Sequence, residues 1–241
     1  MRPLNAAVAL AALVTSLPAS AAVTLYGTRI VYEAGQASIS VKATNQGERA
    51  ALTQAWLDHG NADATPAQQR VPFLVTPAVR RLEPGQDQTY RISHVTGAGP
   101  ALPADRESLL YFNLLDIPPA VDAAEAGNTV QFALRTRVKL FYRPAALAGR
   151  AADAAAGLTW RIVQDTGTPA LQVHNPGAYH VTFDGITLGD GTAVAADMIG
   201  PGATVRLPLP AGAAATALGT LAFGWLDDSG RTREQRATVA P

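Results

Sequence analysis

The stretch FALRTRVKLFYRP, residues 132–144, decides the fold: its apolar residues alternate with polar ones, and three of the polar positions carry Arg135, Arg137 and Lys139. A period of two sends successive side chains to opposite faces, so this is a β-strand. Toward the N-terminus lie more segments of the same kind. ASISVKA (37–43), LTQAWLD (52–58), QTYRISH (88–94) and SLLYFNLLDI (108–117) precede the enclosing VQFALRTRVKLFY (130–142), with Asn-Gln-Gly, Pro-Gly and Pro-Pro between them. Short runs bounded by such turn residues are strands, and the first half is all-β.

Beyond Pro144 comes AALAGRAADAAAG (145–157), which is small, weakly apolar and bounded by glycine. This reads as a linker with room for one helical turn. A second strand series follows: TWRIVQ (159–164), ALQVHN (170–175), HVTFDGITL (180–188), TVRLPLP (204–210) and GTLAFGWLDD (219–228). The division at the Ala/Gly stretch fits two β-sandwiches, residues 22–144 and 158–241, better than one barrel. A cleft between them is expected.

At the N-terminus, Arg2, an uncharged run from Ala6 to Leu17 and the small residues Ala19, Ser20 and Ala21 have the form of a secretory signal, residues 1–21, with the mature chain starting at Ala22. The apolar run is too short to span a bilayer, which takes roughly 20 apolar residues, so a soluble, exported protein without membrane insertion is expected. The sequence contains no cysteine, which removes thiol catalysis and Cys-ligated metals and leaves stability to packed cores. With 19 basic and 19 acidic residues the net charge is zero, and no basic field points to nucleic acid.

Catalysis finds no support in the residues. His59, His94, His174 and His180 lie at separate strand ends or loops without metal-ligand spacing, and there is no G-x-S-x-G elbow. His174 and His180 flank NPGAY like the two sides of a hairpin loop and are read as structural or solvent-facing. Glu107 and Asp116 supply carboxylates, but acids on strands are too common to name a reaction. No metal, cofactor or phosphate loop is implied.

Four segments, TRIVYEAGQ (28–36), VTPAVRRLEPGQ (75–86), DRESLLYFNLLDIPP (105–119) and RVKLFYRP (137–144), resemble the signatures of periplasmic pilus-assembly chaperones. The second half resembles them in spacing and in WLDDSGR (225–231). The resemblance implies two immunoglobulin-like sandwiches in an L shape. It also implies that residues 130–142 form the last strand of the first domain, whose exposed edge is lent to an incomplete pilus subunit. Val130, Phe132 and Leu134 would then enter the subunit's groove, although by period alone such a row belongs to its own domain's core. Arg29 and Lys139 match paired cations that grip the subunit's C-terminal carboxylate; without the resemblance each is a solvated surface residue. Glu107, Arg143 and Asp227 match an ionic contact between the domains, with Asp228 able to align in place of Asp227. Leu52, Gln54, Thr76, Pro77 and Arg91 fall where the family meets its outer-membrane usher. Arg135 and Arg137 have no family role and are read as solvated edge charges that oppose aggregation.

The short connection AVDAAEAGNT, residues 120–129, is similar to the branch of the family that serves rod-like pili. The resemblance also implies weak self-association through the apolar edge when no subunit is bound. The competing reading is a secreted structural or adhesive protein of tandem immunoglobulin-like domains. Such a protein has no need of paired cations beside an unprotected apolar edge, and its halves should resemble each other, which these do not.

Overall fold

A computed structural model describes residues 22–120, 130–165, 168–210 and 219–240. The expected signal segment and residues 121–129 of the short connection lie outside the described residues. The first domain comprises β1 (Val23–Leu25), β2 (Arg29–Glu33), β3 (Ile39–Asn45), β4 (Ala51–Asp58), β5 (Phe73–Thr76), β6 (Val79–Leu82), β7 (Asp87–His94), β8 (Ser108–Ile117) and β9 (Leu134–Arg143). These form two sheets, in the orders β1-β3-β7-β5 and β2-β9-β8-β4-β6.

The two sheets face each other because each strand is apolar on one parity. In β4, Ala51, Thr53, Ala55 and Leu57 are buried while Leu52 stands in solvent. Leu110, Phe112 and Leu114 of β8 and Leu140 of β9 meet Val41, Ala43, Tyr90 and Ile92 of the facing sheet in one core. Full burial of side chains of this size is worth about 1.5–3 kcal/mol each. Core hydroxyls find partners at hand: those of Thr53 and Tyr90 lie 2.5 Å apart, and Tyr32 donates to the Gln36 carbonyl at 2.8 Å. Between β5 and β6 the chain leaves one sheet for the other at Pro77, which has no N–H to continue a ladder.

The second domain holds β10 (Thr159–Asp165), β11 (Thr168–His174), β12 (Val181–Leu188), β13 (Ala193–Val194), β14 (Met198–Ile199), β15 (Thr204–Pro208), β16 (Thr220–Leu226) and β17 (Thr232–Ala240). They run in the order β13-β12-β16-β17-β10-β11-β15, with β14 on β12. β17 joins the halves: it is antiparallel to β16 and, at Val239 and Ala240, parallel to β10. The sheet closes over a separate core in which the rings of Trp160, Phe183 and Phe223 lie 5.2–5.9 Å apart.

The expected linker is partly structured, and one expectation changes. The Ala-rich stretch holds a helical turn, Ala151–Ala154, and a 3-10 turn, Ala155–Gly157, and Ala154 and Ala155 are buried in the second core. Its second half is therefore packed structure. His174 and His180 do not flank a hairpin, because β11 pairs with β10 and β15 while β12 pairs with β13, β14 and β16. No helix among the described residues is long and apolar enough to cross a membrane.

Candidate functional site: a half-open strand and the corner between domains

β9 is covered on one edge by β8 along its length, from Asp116 opposite Leu134 to Ser108 opposite Tyr142. On its other edge the short β2 pairs in parallel only from Arg29 opposite Lys139 to Glu33 opposite Arg143. Among the described residues, 134–138 therefore have no strand partner on that edge. Backbone groups left unpaired at a sheet edge are a template for another strand.

The strand begins at Leu134 and not at Val130, so residues 130–133 continue the chain outside the ladder. One parity runs from the core to solvent: Leu140 is fully buried and Val138 is 8 % exposed, whereas Leu134, Phe132 and Val130 are 48 %, 81 % and 74 % exposed. The three residues expected to enter a partner's groove thus lie beyond the end of their own core. Phe132 and Leu134 also line a mainly apolar cleft of about 590 Å³ with Ala51, Pro118 and Pro119. Asp116 lines it too, and burial pushes its carboxyl up against the lowering effect of the hydrogen bond it accepts from Val23 N–H at 3.2 Å.

The opposite parity overturns the reading of Arg135 and Arg137 as solvated charges. Arg137 holds the fully buried Asp58 at 2.6 Å, and Arg135 reaches it at 3.4 Å while its Nη2 donates to Asn113 at 2.6 Å. Their guanidiniums lie over Tyr111 and Trp56, at 3.5 and 4.9 Å from the ring centroids. Burial is the largest influence on Asp58 and would raise its pKa, but Arg137, Asn113 and the Gly60 N–H together hold it below the ordinary carboxylate range. Alternation alone could not reveal this, because the partner is a carboxylate two strands away.

Where β2 begins to cover β9, Arg29 and Lys139 stand side by side in register. Arg29 Nη1 donates to the Leu226 carbonyl at 2.7 Å, while its buried Nε has no hydrogen-bond partner among the described residues. Burial pulls its pKa below the usual arginine value against the attraction of Asp228, Asp227 and Glu107. Lys139 Nζ holds Asp197 of the second domain at 2.7 Å.

Beside them is the contact between domains. Arg143 binds Glu107 at 2.7 Å and takes Asp228 through two bonds of 2.6 and 2.7 Å. Glu107, nearly inaccessible, accepts in turn from the backbone N–H and Nδ1 of His180, both at 2.8 Å. Burial opposes the Arg143 charge, yet the bonds to Asp228 and Glu107 outweigh it and raise its pKa. Asp227 is not part of this contact, which corrects the expectation. Its carboxylate caps its own turn, accepting from Ser229 Oγ at 2.6 Å, from Arg231 N–H at 3.1 Å and from Arg233 Nε at 2.8 Å. Neighbouring residues project in different directions, so one of two consecutive aspartates can face the other domain while its neighbour serves the loop. Gly230, at φ +79°, lets that loop approach Thr28 so closely that a Cβ would collide with Thr28 Oγ1. His180, a lone histidine, and Asp197, 58 positions from its partner, carried no signal in the sequence.

The five residues expected to meet an usher divide between two faces. Leu52 (43 % exposed) and Gln54 lie on the outer face of β4, opposite Arg81 and Val79 of β6. Thr76 and Arg91 are paired on the outer face of the other sheet, and Pro77 lies where the chain crosses between them. They wrap one edge of the sandwich.

Two family models match this chain: the pili and flagellar-assembly chaperone, PapD N-terminal domain, over residues 22–148, and the pili assembly chaperone PapD, C-terminal domain, over residues 153–237. The chain belongs to the pilus-assembly chaperone family. It is 36 % identical to the chaperone protein FimB/FhaD of Bordetella pertussis over 245 residues, covering 99 % of this chain and 98 % of that protein. The solved structure of the YadV chaperone is 32 % identical and superposes with a TM-score of 0.77 over 90 % of this chain and all of that one. The SafB chaperone of Salmonella enterica, solved in complex with the SafA pilin, shares the fold at 24 % identity, with a TM-score of 0.77 over 92 % of this chain and 98 % of that one. The two domains are immunoglobulin-like β domains of this family, and the protein is a chaperone that assists pilus subunits.

Proposed function

We propose that this chaperone captures an incomplete pilus subunit by adding the free edge of β9 to it, a strand-addition mode of which pilus chaperones are a known instance. The observation that carries the reading is the row Val130, Phe132 and Leu134, which continues the core-facing parity of β9 into solvent beside the unpaired edge of 134–138. Strand addition alone permits slippage by two residues, since the face presented is unchanged. Arg29 and Lys139, in register where β2 begins to cover β9, remove that ambiguity by fixing the subunit's terminal carboxylate. The apolar row then supplies affinity and the cations supply register.

The Glu107–Arg143–Asp228 contact sets the angle between the domains and so the shape of the corner, geometry being what a buried ion pair secures best. The surface around Leu52, Gln54, Thr76, Pro77 and Arg91 delivers the loaded chaperone to the outer-membrane usher. The working compartment is the periplasm, reached through a signal segment removed after Ala21, and capture is stoichiometric and non-enzymatic, with energy from binding itself. The test is the double variant F132E/L134E expressed in the periplasm with subunits. It should stay folded, because both side chains are exposed, and should lose co-purifying subunit, because unpaired charges would enter an apolar groove. Unfolding of the double variant, or undiminished capture, would overturn the reading.

A further inference from the structure

The anchoring cation of β9 already carries a carboxylate. Lys139 Nζ lies 2.7 Å from Asp197 Oδ1, with the lysine side chain 20 % exposed and the aspartate 81 % exposed. The two ends of this pair differ in what they need. A lysine side chain that is mostly covered gains from a nearby anion, whereas an aspartate in open water loses little when its partner leaves. Asp197 is held by its backbone, its carbonyl accepting from Phe183 N–H at 2.8 Å, so its carboxylate is presented to Lys139 from the second domain. Next to Lys139, in register, Arg29 still has a buried Nε without a partner among the described residues. The corner therefore contains two cations, one satisfied by a replaceable carboxylate and one with an unused donor.

We propose that Asp197 is an internal stand-in for the subunit's terminal carboxylate: it holds Lys139 in place while the site is empty and yields the ammonium when the subunit's chain end arrives. This rests on the carboxylate-anchor reading of Arg29 and Lys139. Two carboxylates on one ammonium repel each other, so the incoming group competes with Asp197 and binding is weaker than the bare corner would allow. Weaker anchoring favours a carrier that must later surrender its cargo. Asp197 is thus a positioning residue in the empty protein and a competitor during capture.

The experiment compares wild type with Asp197→Asn, a substitution of the same shape that removes the charge. The probe is a synthetic peptide of alternating apolar and polar residues, made once with a free C-terminal carboxylate and once as the C-terminal amide. Binding of the acid to Asp197→Asn should tighten roughly two- to fivefold, the range for a pair with one end in solvent, and binding of the amide should not change. Thermal unfolding of the variant should fall only slightly below wild type, by a few degrees at most, as for a pair with one end in solvent, and Asp197→Ala should repeat the result. Unchanged or weakened binding of the acid by both variants, with wild type still preferring acid over amide, would overturn the stand-in role and leave the anchor intact. If wild type binds acid and amide equally, the anchor reading fails and the stand-in falls with it.

Discussion

Along one face of β9, a single structural boundary should separate residues that bind from residues that fold. Leu140 is fully buried, Leu134 is 48 % exposed and Phe132 is 81 % exposed, although all three share one parity. Truncating Phe132 to alanine removes almost no contact from the free protein, so its unfolding midpoint in urea should be unchanged. In a complex the ring would go from mostly wet to buried; at about 1.5–3 kcal/mol for a full side chain, its loss should weaken binding roughly ten- to a hundredfold. Leu134 is already half covered and should cost about half that free energy, roughly fivefold. Leu140→Ala should reverse the pattern, losing about 2–5 kcal/mol of stability by leaving a cavity, with binding by the remaining folded protein little changed. The assays are urea unfolding followed by circular dichroism and calorimetric titration with subunit or subunit peptide. A drop in stability for Phe132→Ala comparable to that for Leu140→Ala would refute the argument, because the row would then belong to the protein's own core.

Three further outcomes are expected. Asp58→Ala should destabilise by the lower part of about 3–5 kcal/mol, since Arg135 and Arg137 keep a quarter of their side-chain surface in water. Because the Asp58 pKa is lowered in the folded state, this stabilisation is complete above the ordinary value of about 3.9 and is lost as pH falls through the folded value, so the gap between wild type and variant in acid unfolding should close there. For Asp116 the sign is opposite: burial raises its pKa, stability falls as pH rises through the ordinary value toward the folded one, and Asp116→Asn should raise the melting temperature at pH 7 but not below about pH 4. Asp228→Asn should alter the angle between domains, as measured by small-angle scattering, whereas Asp227→Asn should not, since only Asp228 meets Arg143; equal effects of the two would contradict the assignment.

Whatever depends on local alternation was legible in the sequence. The buried row of β4, the all-β halves and the apolar row at 130, 132 and 134 follow from period two and from the turn residues between runs, because a pleated chain alternates its faces wherever it lies. Alternation could not say where along β9 the core ends. Burial runs through Val138, one residue past the end of β2's cover at Lys139, and falls away from Leu134 to Val130, a limit set by how far the facing sheet extends. Nor could it pair charges. Asp58 takes Arg137 across 79 positions, Lys139 takes Asp197 across 58, and the choice of Asp228 over Asp227 depends on which carboxylate the loop turns toward the first domain. The sequence determined which side chains share a face, since that is fixed by bonds along the chain. Which of them stay dry, and which opposite charge each one meets, was decided only when distant segments packed and excluded water together.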